Sequence, residues 1–149
     1  MAADIIKSND NAIQTGSDFN IPKGYICTLD IASIAGKIKL ANAINGAESM
    51  RDKVGEVLRV VDVVTTKGTR ARTGDPCVNT YLILDDDSVF FSQSDGIASS
   101  AGVLVGILTD QTTGEFQSPV DLGLGFMIKE LEMSNGNTLK KMVLVELDS

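Results

Sequence analysis

The chain contains no histidine and no tryptophan, only two cysteines and three prolines, and seven aromatic residues in 149. The lack of histidine removes the commonest general acid/base and the commonest metal ligand. A zinc site would have to be assembled from Cys27, Cys77 and carboxylates, so no metal and no cofactor is expected. Two cysteines are too few for a disulfide scaffold, and both are read as small buried apolar side chains. No apolar run approaches the ~18 residues of a membrane span. The longest, Ile97 to Leu108, is interrupted by Ser99, Ser100, Gly102 and Gly106. The start, Met-Ala-Ala-Asp-Ile-Ile-Lys, has no basic n-region and no apolar core of a signal peptide, so a cytoplasmic protein without membrane association is expected. Phosphate-loop, dinucleotide and nucleophile–histidine motifs are all missing, which argues against an enzyme.

A second scarcity is local. From Thr73 to Ile128 there is no lysine or arginine, while eight acids fall there. Six of the thirteen cations lie between positions 51 and 72, in a chain of net charge −7. An acidic body with one basic path suits a groove for single strands better than a coat for duplex.

The basic path runs into the aromatics. Lys67, Arg70 and Arg72 precede Tyr81, and Phe90 and Phe91 follow, so three of the seven rings share one expected hairpin around Asp85-Asp86-Asp87-Ser88. Cations beside ring-bearing strands offer charge for phosphates and flat faces for bases. Strand alternation sends Phe90 and Phe91 to opposite faces. Parity groups Phe91 with Val89, so Phe90 is expected to be the exposed ring and Phe91 the core ring. The acidic turn lacks the spaced ligands and terminal Glu of an EF-hand and is read as solvated.

Residues 1–22 show no sustained periodicity and read as an N-terminal arm, with a single domain over 23–149. Gly24 to Ile31 reads as a strand. Gly36 to Gly46 fits either a helix stopped by Asn45-Gly46 or a short strand at Lys37 to Leu40. Gly55 to Thr66 is dense in β-branched residues and reads as a long strand, followed by a loop from Lys67 to Pro76. Val78 to Leu84 and Val89 to Gln93 are the next strands. Ser94 caps a helix to about Leu108 with Ile97, Ala101, Leu104 and Leu108 on its apolar stripe. Leu122 to Met133 and Asn137 to Leu147 form a last hairpin around Ser134-Asn135-Gly136. The order strand, strand, strand, helix, strand, strand over about 55–148 is that of a mainly β, five-stranded OB-fold-like barrel with one helix between strands three and four. Its first loop carries Lys67, Arg70 and Arg72. Its last is followed by Lys140 and Lys141, and Arg59 lies within the first strand.

Several segments together carry a resemblance: Ala43-Ile-Asn-Gly-Ala-Glu-Ser49, Val63-Val-Thr-Thr-Lys-Gly-Thr-Arg70, Asn79-Thr-Tyr-Leu-Ile83, Phe91-Ser-Gln-Ser-Asp-Gly-Ile97 and Asn135-Gly-Asn-Thr-Leu-Lys140. Over roughly residues 25–147 the chain resembles the single-stranded-DNA-binding proteins of bacteriophages and related mobile elements. The resemblance implies an OB-fold that protects exposed single strands, without sequence preference, during phage DNA replication. It implies phosphate contacts from Lys67, Arg70 and Arg72, and bases on Tyr81 and one of Phe90 or Phe91. Arg59, Lys140 and Lys141 are further candidates. Single-stranded DNA is the expected partner, with a second copy of the chain and replication proteins as candidates. Cellular proteins of this type carry a long acidic tail, whereas this sequence reads Val-Glu-Leu-Asp-Ser149 at its end, so tail-mediated recruitment is not expected. The alternative is a β-rich phage accessory or structural module, with the aromatic hairpin as an oligomer interface.

Overall fold

A computed structural model describes residues 25–136 and 138–147. The expected arm at 1–22 and Asn137 of the last expected turn lie outside the described residues. The β-branched run forms two consecutive strands, β2 (Val57–Leu58) and β3 (Val60–Thr69), separated only by Arg59. The ladder is irregular between Val60 and Asp62, so the path bends there and serves two sheets. The first sheet has the order β1-β5-β4-β3, with β1 at Glu48–Ser49, β4 at Pro76–Leu84 and β5 at Val89–Ser92. The second has the order β2-β6-β7, with β6 at Leu124–Glu132 and β7 at Thr138–Glu146. Ile26 to Thr28 run beside β3: the Thr28 amide donates to the Val63 carbonyl (3.1 Å) and the Thr65 amide to the Ile26 carbonyl (2.8 Å).

Between the sheets lies one core of Leu58, Val60, Val63, Leu82, Phe90, Phe126, Ile128 and Met142. Helix α2 (Asp95–Leu108) completes it with the stripe expected from its spacing, Ile97, Ala101, Leu104 and Leu108. Ser94 Oγ accepts from the Ile97 amide and caps the helix. The segment before β1 is a helix, α1 (Ile34–Gly46), which ends at the expected Asn45-Gly46. Ser33 caps it by accepting from the Gly36 amide. Leu40 and Ala43 pack on Val64, Tyr81 and Ile83, the outer face of the first sheet, and form a second apolar cluster there.

The β-rich character and the position of α2 between the third and fourth long strands agree with expectation. The single barrel with one helix does not. Two helices are present and, among the described residues, the ladder is not closed. Among the described residues β7 pairs with β6 alone, and the other edge of β5 takes Glu48–Ser49 in parallel. The reason is local. β5 stops after four residues because Ser94 turns the chain into α2, whose first turn lies against β7. A Cβ at Gly96 would collide with the Lys140 carbonyl, so only glycine allows this approach. The start of α2 therefore fills the space where β5 would have to meet β7.

Candidate nucleic-acid interface

The hairpin of β4 and β5 fixes the rings by register. Tyr81 pairs with Phe91, and Leu82 with Phe90. Phe90 is 9% exposed and belongs to the inner core, with Lys53 Nζ 5.0 Å from its ring centroid. Phe91 lies half-buried on the outer face, its ring 6.0 Å from that of Tyr81 and inclined by 28°. The expectation that Phe90 is the exposed ring is therefore corrected. Val89 does share a face with Phe91, but α1 makes that outer face apolar too, so an apolar neighbour did not mark the inside.

Tyr81 is itself only 7% exposed. Burial pushes the phenol above its ordinary range, and the side chains of Thr66 and Asn79 beside its hydroxyl pull the other way. Tyr81 is a backing ring, and Phe91 is the one presented.

Phe91 opens onto a groove of ≈ 240 Å³ that it shares with Ser49, Arg51, Gln93 and Lys140. Two cations from distant parts of the chain thus flank one ring. Neither Arg51 nor Lys140 has a carboxylate partner among the described residues. Arg51 was not among the residues expected at the site, although it begins the basic stretch. It arrives here because Glu48–Ser49 pair with β5 and Ser49 stands opposite Phe91. Gln93 links groove and loop: its Nε2 donates to Asn79 Oδ1 (3.0 Å) and to the Thr69 carbonyl (3.3 Å). Asn79 in turn lies over Gly68, where a Cβ would stand 2.6 Å from its amide.

The remaining expected residues are dispersed. Lys67 lies on β3 and not in the loop, which narrows to residues 70–75. Alternation sends its exposed side chain to the face of Val63 and Thr65, opposite Phe91. Arg72 is exposed in the loop. Arg70 Nη2 is paired with Asp95 Oδ1 at 3.1 Å. Arg59 Nε is paired with Asp85 Oδ2 at 2.6 Å, at the opposite end of β3, about 30 Å of strand away. Lys141 leaves β7 on the other side from Lys140. It lines a separate groove of ≈ 480 Å³ with Asp95, Ser99, Val103 and Leu139.

Other candidates resolve into structure. Asp62 accepts from Thr28 Oγ1 (2.8 Å) and pairs with Lys39 (3.4 Å), tying the first described residues and α1 to β3. In the acidic turn Asp86 Oδ1 accepts from the Ser88 amide (2.9 Å). Hydrogen bonds from Ser88 hold this carboxyl below its usual range. Cys27 stands beside Val64 and Cys77 opposite Gly68, four positions apart along β3 or roughly 13 Å, and both are free. Among the described residues no cluster of His, Cys, Asp or Glu could hold a metal ion, and no helix is long and apolar enough to cross a membrane.

Residues 20–121 match the phage single-stranded DNA-binding protein family of the Phi29 type. The chain belongs to that family. The matched span contains α1, the whole first sheet, the basic loop and α2. Every residue of the Phe91 groove except Lys140 therefore lies within the part that defines family membership. The family is one of DNA-binding proteins and not of enzymes. No curated protein and no solved structure matches the chain.

Proposed function

We propose that this chain binds single-stranded DNA across the outer face of its first sheet, with little regard to sequence, in phage or mobile-element DNA replication. The observation that carries this reading is the Phe91 groove: a half-exposed ring, backed by Tyr81 and flanked by Arg51 and Lys140, in a member of a single-stranded DNA-binding family. Any base has a face that can stack on a ring, so such a platform is tolerant of sequence. Arg72 extends the cationic track from the loop. The element order, with a bent first strand shared by two sheets, is read as an OB-type arrangement opened at the β5–β7 seam.

The test is a fluorescence titration with an oligo-dT of about 30 nucleotides, a length in the range of such site sizes, against duplex of equal length. Tight binding to the single strand is expected. Phosphate contacts by Arg51, Arg72 and Lys140 give a slope of log K against log salt of about −2. Replacing Arg51 and Lys140 together by Ala should remove about 1.4 units of it. Absence of binding at low salt, or an unchanged slope in the double variant, would overturn this reading.

A further inference from the structure

The basic loop holds an acid at its rim. Arg70 follows Thr69, whose carbonyl Gln93 grips, and its own backbone is fixed: its amide donates to the Asp75 carbonyl (2.9 Å) and its carbonyl accepts from the Gly74 amide (2.8 Å). Its guanidinium is held by Asp95, the first residue of α2 and only two positions after Gln93. Asp95 is 84% exposed in its side chain, against 34% for Arg70. The carboxylate thus stands on the solvent side of the pair, where a phosphate would have to approach. Among the described residues Arg51, Arg72 and Lys140 have no such acid beside them.

We propose that Asp95 is a built-in competitor for phosphate: it holds Arg70 out of contact with the DNA backbone and so sets the affinity and salt dependence of the site. This rests on the single-strand-binding reading above. Arg70 is then a silent cation in the wild-type protein, and binding leans on the Phe91 ring and on Arg51, Arg72 and Lys140. The physical basis is simple. A phosphate gains little from an arginine already neutralised, and it meets the repulsion of the carboxylate as well. An exposed pair of this kind contributes little to the fold, so it can be removed by substitution without unfolding the protein. Ser94 and not Asp95 caps α2, so Asp95→Asn leaves the cap in place.

The experiment is a double-mutant cycle read by oligo-dT titration over a range of salt. Arg70→Ala alone should leave the slope unchanged. Asp95→Asn should tighten binding about two- to fivefold at low salt and steepen the slope by about 0.7, one added phosphate contact. Adding Arg70→Ala to Asp95→Asn should return both to the wild-type values. Asp95→Glu, which keeps the charge, should behave as wild type. The inference is overturned if Arg70→Ala alone flattens the slope, or if Asp95→Asn tightens binding equally with and without Arg70. The same four proteins eluted by salt from phosphocellulose report on charge without bases. Later elution of Asp95→Asn, with Arg70→Ala alone and the double variant both eluting as wild type, supports the competitor role; opposite shifts of equal size in the two single variants, or co-elution of all four, overturn it. That arm separates failure of this inference from failure of the DNA-binding reading.

Discussion

The two faces of the first sheet are both apolar, and they are closed in different ways. The inner face, at Val60, Val63, Leu82 and Phe90, is covered by α2 and the second sheet. Among the described residues, the outer face, with Val64, Tyr81 and Ile83, is covered by Leu40 and Ala43 of α1, with Cys27, Leu29 and Ile31 packed beside them. Among the described residues that cover stops short of Phe91, which stands beside Arg51 and Lys140. Two adjacent phenylalanines therefore differ in role because one cover runs on and the other stops. Alternation sends them to opposite sides, but the extent of each covering element decides which side is the surface.

The strongest way to break this contrast is at Phe90. Phe90→Ala should cost about 3–5 kcal/mol of stability through the cavity it leaves. Denaturant unfolding measures it, and affinity per folded molecule should change little. A smaller loss than that caused by Phe91→Ala would mean that the two faces have been assigned the wrong way round.

Phe91→Ala should act in the other direction, on binding more than on stability. Removing one stacking ring costs about 1–3 kcal/mol per base, or roughly 5- to 150-fold in affinity. Because charge contacts are untouched, the salt slope should stay at its wild-type value while the whole line shifts downward. A parallel loss of slope would show that the variant has disturbed Arg51 or Lys140, and the ring would not be an independent platform.

Much of the scaffold could be read before any coordinates. The β-branched run predicted a long strand where β2 and β3 stand, though not the bend between them; the Ile97-Ala101-Leu104-Leu108 spacing behind Ser94 predicted α2; and Asn45-Gly46 marked the end of the helical alternative that α1 adopts. These are local signals, in which propensity and packing agree. What failed was tertiary. Nothing in the spacing of 34–46 says that this helix lies over Val89 and makes that side of the sheet apolar. The two-residue β1 that delivers Arg51 is too short to leave a pattern. The neutralisation of Arg59 by Asp85 and of Arg70 by Asp95 depends on partners 26 and 25 positions away. Counting cations along the chain therefore does not separate paired from unpaired ones.

Tyr81 gives the smallest and sharpest test, because it belongs to the covered part of the outer face while touching the open part. Its hydroxyl lies beside the side chains of Thr66 and Asn79, and its ring stacks against that of Phe91. Tyr81→Phe keeps the ring and removes one buried hydrogen-bonding group, which should cost about 1 kcal/mol of stability and leave affinity nearly unchanged. The pH dependence has a definite sign. Burial holds the folded phenol above its ordinary value, so the unfolded chain releases its proton first, and the stability linked to Tyr81 is lost as pH climbs from about 10 through the folded value. The difference in stability between wild type and Tyr81→Phe should therefore shrink across that alkaline window. If Tyr81→Phe instead weakened DNA binding as much as Phe91→Ala, the hydroxyl would have to face the ligand, and the boundary set by α1 would lie one strand position away from where Phe91 marks it.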